Sequence, residues 1–221
     1  MPATIPGTDP AVLPAPPRPP ADAERPVSVF NLPNQLTALR FLLAVVLFVL
    51  IGEEQWLWSA AVFAVAAFTD WLDGYAARRM GLMSTLGRNL DPLVDKVLVC
   101  GAFIMLLPYP PARTGLAAWM VVVVVGRELV VTGLRSYLES RGARFGADWT
   151  GKAKMIFQCG ALAAIFLTLA SRAAHFLQAD GDAALEITRD LFLYGTVVST
   201  VASGGAYLLQ AALLWRREQS S

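Results

Sequence analysis

The sequence is poor in charge, in cysteine and in histidine, and each shortage narrows the classes of protein that it can encode. Only 16% of the 221 residues are Asp, Glu, Lys or Arg, whereas soluble domains contain about 25%. The chain is also 56% hydrophobic, with a mean hydropathy of +0.52. These values exclude an ordinary soluble domain and indicate an integral membrane protein. The net charge of +1 averages over segregated charges, and we expect no nucleic-acid partner.

The two cysteines give no sign of a disulfide framework or a metal site. Cys100 and Cys159 each lie inside an apolar run, and their separation does not match a metal-ligand motif. We therefore expect two buried, free thiols. The single histidine, His175, lies on the opposite side from the acidic motif described below. We do not assign it a catalytic role.

Proline is concentrated at the N-terminus. Ten of the fourteen prolines lie within residues 1–33, and such a stretch cannot form a helix. We predict that residues 1–28 are a disordered, proline-rich cytoplasmic tail; they lack the continuous apolar segment of a signal peptide. Residues 29–216 are predicted to form the membrane domain, and 217–221 a short C-terminal tail.

Six apolar segments follow the tail, which predicts an all-α integral membrane protein with six transmembrane helices. Each has about the 20 residues that a helical span needs. No strand-like alternation competes with this interpretation. Breakers or polar residues separate the segments, for example Gly52–Gln55, Pro108–Pro111 and Gln178–Asp182. The predicted spans lie near residues 33–52, 57–79, 88–107, 116–138, 152–171 and 189–214.

Basic residues in the loops predict the orientation. With six spans, both termini lie on one side, and that side has twelve lysines and arginines. The opposite side has three, namely Arg113, Arg172 and Arg189. The positive-inside rule therefore places both termini in the cytoplasm. The twelve are Arg18, Arg25, Arg78, Arg79, Arg88, Arg135, Arg141, Arg144, Lys152, Lys154, Arg216 and Arg217.

Four aspartates lie where the second span ends and the third begins. Asp70 and Asp73 are three residues apart, and Asp91 and Asp95 are four apart, so each pair lies on one helix face. Carboxylate oxygens clustered in this way suit a hard cation such as Mg2+ or Mn2+. Two ions could share the site and hold a phosphate between them. The loop charges place this site at the cytoplasmic face.

Two other interpretations of the aspartates are weaker. A single intramembrane aspartate is often only a buried polar contact, but four at helical spacing around one turn are typical of a functional site. A divalent-cation transporter would also use carboxylates. Its acidic residues should be spread through the bilayer depth instead of clustered at one edge.

The whole motif resembles the signature of the CDP-alcohol phosphatidyltransferases. These membrane enzymes transfer a phosphatidyl or related group from a CDP-linked donor to an alcohol and release CMP. The resemblance implies a fold of six transmembrane helices, commonly a homodimer. The matching positions are Asp70, Asp73, Gly74, Ala77, Arg78, Gly87, Asp91 and Asp95.

The resemblance also implies a role for each motif residue. Asp95 would be the general base that removes the proton of the acceptor hydroxyl. The four aspartates would hold the divalent cations, two in number by the family pattern. The predicted CDP-binding set adds a Pro-Asn-x-x-Thr-x-x-Arg stretch at the start of the first span, although Pro33 and Asn34 also suit a simple helix start. That set is Asn34, Thr37, Arg40, Asp70, Asp73, Gly74, Ala77, Arg78 and Gly87.

Four further basic residues are candidates for binding a phosphate on the acceptor. They lie in or beside the fourth and fifth spans and are Arg127, Arg135, Lys152 and Lys154. A charged side chain inside a span costs free energy, so its presence there is typical of a functional role. Their Arg-Glu…Gly-Leu-Arg and Gly-Lys-x-Lys motifs resemble the branch of the family that uses CDP-diacylglycerol and sn-glycerol 3-phosphate. Inositol phosphate, or phosphatidylglycerol in cardiolipin synthesis, remains an alternative acceptor. The resemblance implies a multi-pass protein of the bacterial inner membrane, in contact with membrane lipids.

Overall fold

The computed structural model describes residues 32–80, 85–140, 149–175 and 179–219, without the side chains of 71–80, 85–92 and a few other helix-end residues. The described residues form six long helices and one short one, and they contain no strand. The prediction of an all-α fold is therefore confirmed. The helices are α1 Leu32–Gly52, α2 Trp56–Met80, α3 Thr85–Met105, α4 Pro111–Thr114, α5 Ala118–Ser140, α6 Trp149–Ala174 and α7 Ala179–Gln219.

Each predicted span corresponds to one long helix, but the helices differ in apolarity. Within the described residues, three stretches are long and apolar enough to cross a membrane: Gln35–Gly52, Gly151–Ala174 and Asp180–Leu209. Helix α2 adds a shorter apolar stretch, Trp56–Asp70. The helices that fall short, α2, α3 and α5, are those that carry the aspartates and the Arg127–Glu128 pair. The number of six crossings stays a prediction.

The start of the last helix corrects the sequence analysis. The segment Gln178–Asp182 was expected to be a joint and the span to begin near 189, but α7 begins at Ala179. Acidic residues in its first turn are favourable because they face the positive end of the helix dipole. Ser171 Oγ donates to Asp182 Oδ1 at 2.6 Å, and Arg172 pairs with Glu186. These contacts attach the extra turns of α7 to the end of α6.

The connection after α3 also contains more structure than expected. Pro108–Pro111 was predicted as a break, yet Pro111 begins the short helix α4, where its fixed φ and missing N–H suit a first helical position. Gly115 ends that helix at φ +71°, which glycine adopts without strain. Tyr109 Oη donates to the carbonyl oxygen of Ile51 at 2.7 Å. This bond ties the connection to the end of α1.

A continuous core lies between the helices. Helix α6 packs against α2 and α7, α1 packs against α2 and α3, and α5 packs against α7 and α3. Fully buried side chains such as Leu47, Phe103 and Phe166 fill the centre. The outer surface is also apolar: Val122 and Ile187 are each 70% exposed. An apolar exterior around an apolar core is what a helix bundle in a bilayer presents.

Candidate active site

A buried arginine on α1 brings acidic residues of α2 and α3 together. Arg40 is only 1% exposed, and its Nη1 lies 2.6 Å from Asp95 Oδ1 and 3.3 Å from Asp70 Oδ1. The shorter contact is a charge-assisted hydrogen bond donated by Arg40. A guanidinium at this depth requires such partners, because a buried charge without compensation is strongly destabilising. The two aspartates therefore face a common cation.

The same two aspartates line a cavity of about 310 Å³ between α2, α3 and α6. Lys152, from the first turn of α6, is the third charged residue of its wall. The rest of the wall is apolar and includes Phe63, Leu98 and other side chains of the three helices. A cavity with an apolar body and a few charged groups suits an amphiphilic ligand.

A second charged cluster lies where α5 packs near α6. Glu128 is buried and accepts a hydrogen bond from Lys154 Nζ, while Arg127 Nη1 lies 3.2 Å from the same Glu128 oxygen. Arg127 also stacks over the ring of Tyr207, with its Cζ 5.8 Å from the ring centroid. Two buried cations thus share one buried carboxylate. The cluster has an excess of positive charge, which a bound anion can compensate.

A smaller cavity of about 180 Å³ connects the two clusters, and Asp95 lines both this cavity and the larger one. On the far wall of the small cavity are Glu128 and Lys154. Lys96 and Gln158 complete its polar lining. Asp95 therefore lies between a large apolar cavity and a smaller one that contains several charged side chains. A carboxylate in this position can contact ligands held on both sides.

The structure assembles part of the predicted site. It brings Asp70, Asp95, Arg40, Lys152 and Lys154 around the two cavities, with Arg127 behind Glu128. Thr37 is buried one turn before Arg40, and Arg135 is exposed on α5 without lining either cavity. The predicted residues whose side chains lie outside the described part are Asn34, Asp73, Gly74, Ala77, Arg78, Gly87 and Asp91.

The described carboxylates fit part of a divalent-cation site. In the parts of the chain that the structure describes, no three Asp, Glu, His or Cys side chains form a complete ligand set. Asp70 and Asp95 nevertheless both direct an oxygen at one positive group, Arg40 Nη1. Hard oxygen donors that already share a cation are the ligands that Mg2+ and Mn2+ prefer. The donor chemistry is therefore suitable for either ion.

Three polar residues of the site were not in the predicted set. Glu128 is predicted from the sequence only as half of an Arg-Glu pair. Neither Lys96 nor Gln158 is among the predicted site residues. Their positions in the sequence place two of them beside predicted site residues: Lys96 follows Asp95 directly, and Gln158 lies one turn after Lys154. That each lines the same cavity depends on how α3, α5 and α6 pack, which spacing within one helix does not reveal.

Several known proteins are similar in sequence to this chain over most of the part that contains the site. A sequence model of the CDP-alcohol phosphatidyltransferase family matches residues 30–202. A protein of Bacillus subtilis named CDP-diacylglycerol–glycerol-3-phosphate 3-phosphatidyltransferase is 35% identical over 195 residues, which cover 81% of this chain and 94% of the relative. Proteins of the same name from Escherichia coli K12 and Salmonella typhimurium are 35% and 34% identical over 144 residues, covering 61% of this chain and 75% of each relative.

Proposed function

The chain belongs to the CDP-alcohol phosphatidyltransferase family, and from that premise we propose that it transfers the phosphatidyl group of CDP-diacylglycerol to sn-glycerol 3-phosphate. The products are phosphatidylglycerophosphate and CMP, and the reaction is a step of phospholipid biosynthesis. The resemblance drawn from the aspartate motif is confirmed by the family match. The names of the bacterial relatives support this choice of donor and acceptor.

The observation that carries the proposal is the position of Asp95 between the two cavities. The larger cavity, which Asp95 shares with Asp70, has the apolar walls that a diacylglycerol chain requires. The smaller one has two lysines in its lining, Lys96 and Lys154, that can contact the phosphate of a phosphorylated acceptor. A base between the lipid donor and the polar acceptor is placed to remove the proton of the acceptor hydroxyl as it attacks the donor phosphorus.

We assign the proton transfer to Asp95. In this scheme a carboxylate oxygen of Asp95 removes the proton of the acceptor hydroxyl as that oxygen attacks the phosphorus attached to diacylglycerol. The bond from this phosphorus to the oxygen bridging it to the CMP phosphate breaks, and CMP leaves with the bond's electron pair. Arg40 donates to Asp95 Oδ1 at 2.6 Å, which keeps the carboxylate oriented. The remaining work is positioning and charge compensation.

Divalent cations complete the site in this scheme. Mg2+ or Mn2+ would be held by Asp70, Asp73, Asp91 and Asp95, as two ions by family analogy. The bound metal would neutralise charge on the donor diphosphate and on departing CMP. The proposed CDP-binding residues are Asn34, Thr37, Arg40, Gly74, Ala77, Arg78 and Gly87, together with Asp70 and Asp73.

The acceptor phosphate is assigned to Arg127, Arg135, Lys152 and Lys154. Lys152 and Lys154 reach the larger and the smaller cavity respectively, with Asp95 on the wall of both. Glu128 pairs with Lys154 and Arg127 and so holds two of these cations in place before the acceptor arrives. Because Glu128 neutralises only one of these cations, the group keeps a net positive charge, which favours binding of a phosphate dianion.

Topology and assembly are part of the same proposal. We place a six-span catalytic domain at residues 29–216, between tails at 1–28 and 217–221, in the bacterial inner membrane with its site facing the cytoplasm. The distribution of loop charge, twelve basic residues against three, supports this orientation. A homodimer is proposed from the family pattern.

Release of CMP tests the function directly. Purified protein in detergent or vesicles receives CDP-diacylglycerol, Mg2+ and one acceptor from a panel: glycerol 3-phosphate, inositol phosphate, inositol or phosphatidylglycerol. We expect rapid CMP release with glycerol 3-phosphate and little with the others. Preference for another acceptor would contradict the glycerol 3-phosphate assignment. Flux of Mg2+ or Mn2+ into protein-containing vesicles, without CMP release under any condition, would support the transporter instead.

A further inference from the structure

Gln158 is a buried polar residue of α6 that the catalytic scheme does not yet use. It is only 3% exposed, and among the residues that the structure describes its Nε2 has no hydrogen-bond partner. It lines the smaller cavity of about 180 Å³ together with Asp95, Glu128 and Lys154. An amide that is buried without a partner, on the wall of a cavity, is a feature that a bound ligand would explain.

The neighbours of Gln158 limit what that ligand can be. Lys154 lies one turn earlier on the same face of α6, and Glu128 across the cavity holds its ammonium. Asp95, on α3, also lines the cavity and is the proposed base. The cavity thus offers an anion-binding cation, a base and a neutral donor. This combination fits a small molecule that has a phosphate, a reacting hydroxyl and one further oxygen.

The size of the cavity agrees with a small ligand. Drug-sized ligands occupy cavities of about 300–1,000 Å³, and the cavity at Gln158 has only about 180 Å³. A phosphorylated three-carbon polyol is of suitable size.

Resting on the proposed function, we propose that Gln158 determines acceptor specificity by donating a hydrogen bond from Nε2 to the central hydroxyl of glycerol 3-phosphate. The acceptor has three polar parts. Its phosphate is matched by the cationic cluster and its terminal hydroxyl by Asp95, so the central hydroxyl is left for the buried amide of Gln158. The bond would hold the three-carbon chain in the register that directs the terminal hydroxyl at Asp95.

An acceptor that lacks only the central hydroxyl isolates this contact. 3-Hydroxypropyl phosphate keeps the phosphate, the chain length and the terminal hydroxyl of glycerol 3-phosphate. With the wild-type protein, CDP-diacylglycerol and Mg2+, we expect kcat/KM for this analogue to be roughly 10- to 100-fold lower, because the buried amide of Gln158 stays unsatisfied. The readout is the rate of CMP release at varied acceptor concentration.

The variant Gln158→Leu should remove the discrimination. We expect kcat/KM for glycerol 3-phosphate to fall to about that of 3-hydroxypropyl phosphate, with the value for the analogue and the KM for CDP-diacylglycerol unchanged. Gln158→Met, which preserves the length of the side chain, provides a second variant if the leucine variant does not fold. Thr200→Val is the matched control, since Thr200 Oγ1 is likewise buried and without a partner in the described part of the chain but lies on α7.

The outcomes separate this inference from the function on which it rests. Equal wild-type rates with both acceptors, or a foldable Gln158 variant that keeps the wild-type preference, would overturn the assignment of Gln158 alone. So would an equal loss with both acceptors, which indicates a structural role. Thr200→Val should keep the wild-type preference. Absence of CMP release by the wild-type protein with every acceptor would overturn the proposed function.

Discussion

Replacing Arg40 by methionine should destabilise the protein in a way that Mg2+ reverses. The substitution keeps a long side chain but removes the cation whose Nη1 lies 2.6 Å from Asp95 and 3.3 Å from Asp70. Breaking a fully buried ion pair costs about 3–5 kcal/mol. Here the carboxylates are 24% and 36% exposed, so water compensates part of the loss, and we expect about 2 kcal/mol.

Thermal unfolding in detergent measures this loss. For a chain of this length, about 2 kcal/mol corresponds to a fall in Tm of roughly 4–8 °C. Removing the guanidinium leaves two carboxylates with more negative charge, so they should bind divalent cations more tightly. Saturating Mg2+ should therefore raise the Tm of Arg40→Met more than that of the wild type, because a ligand that binds only the folded state stabilises it.

The exposed ion pair at the other end of the bundle provides the matched control. Arg113 and Glu54 are 3.1 Å apart, but their side chains are 43% and 50% exposed, so Arg113→Met should cost only about 0.2–1 kcal/mol. Its Tm should respond to Mg2+ as the wild type does. A Tm of Arg40→Met equal to that of the control, or an equal Mg2+ effect in all three proteins, would refute the reasoning.

Two further predictions separate the donor and acceptor sides of the site. Lys152→Ala and Arg135→Ala should raise the KM for glycerol 3-phosphate more than the KM for CDP-diacylglycerol, as measured by CMP release. Arg172→Ala, on a cation paired at the far end of α6, is the control. An equal effect on both substrates would argue against an acceptor-phosphate site. Ala67→Phe should fill part of the cavity of about 310 Å³ and so raise the KM for the lipid donor. Ala61→Phe, on the exposed face of α2, is the control and should leave this KM unchanged. Equal kinetics for the two phenylalanine variants would contradict the placement of the donor.

The helices could be predicted well from the sequence, because hydrophobic runs of about the right length specify buried or bilayer-facing helices. The predicted start of the last span was late by about ten residues compared with Ala179. Asp180, Gly181 and Asp182 are residues typical of a loop, which is why the sequence predicts a later start. The first turns of α7 are helical because they bond to the end of α6, through Ser171–Asp182 and Arg172–Glu186, and such contacts are tertiary.

Sequence spacing could predict which residues share the site only where those residues lie on the same helix. Two aspartates three or four residues apart must lie on one face, which is why Asp70 and Asp95 could be named. The contact of Arg40 with both aspartates joins three helices, and the engagement of Lys154 by Glu128 joins two. Helical periodicity gives no rotation of one helix relative to another. The partners of Arg40 and Lys154, and the position of Gln158 on the cavity wall, therefore became apparent only in the packed structure.

Turnover by Asp95→Asn tests the central claim most directly. Asparagine keeps an oxygen that can accept the hydrogen bond from Arg40 Nη1 but cannot act as a base near neutral pH. We predict a folded protein that still binds CDP-diacylglycerol and releases CMP about 10²–10⁴-fold more slowly in the presence of glycerol 3-phosphate and Mg2+. CMP release at the wild-type rate would contradict the assignment of Asp95 as the base between the two cavities.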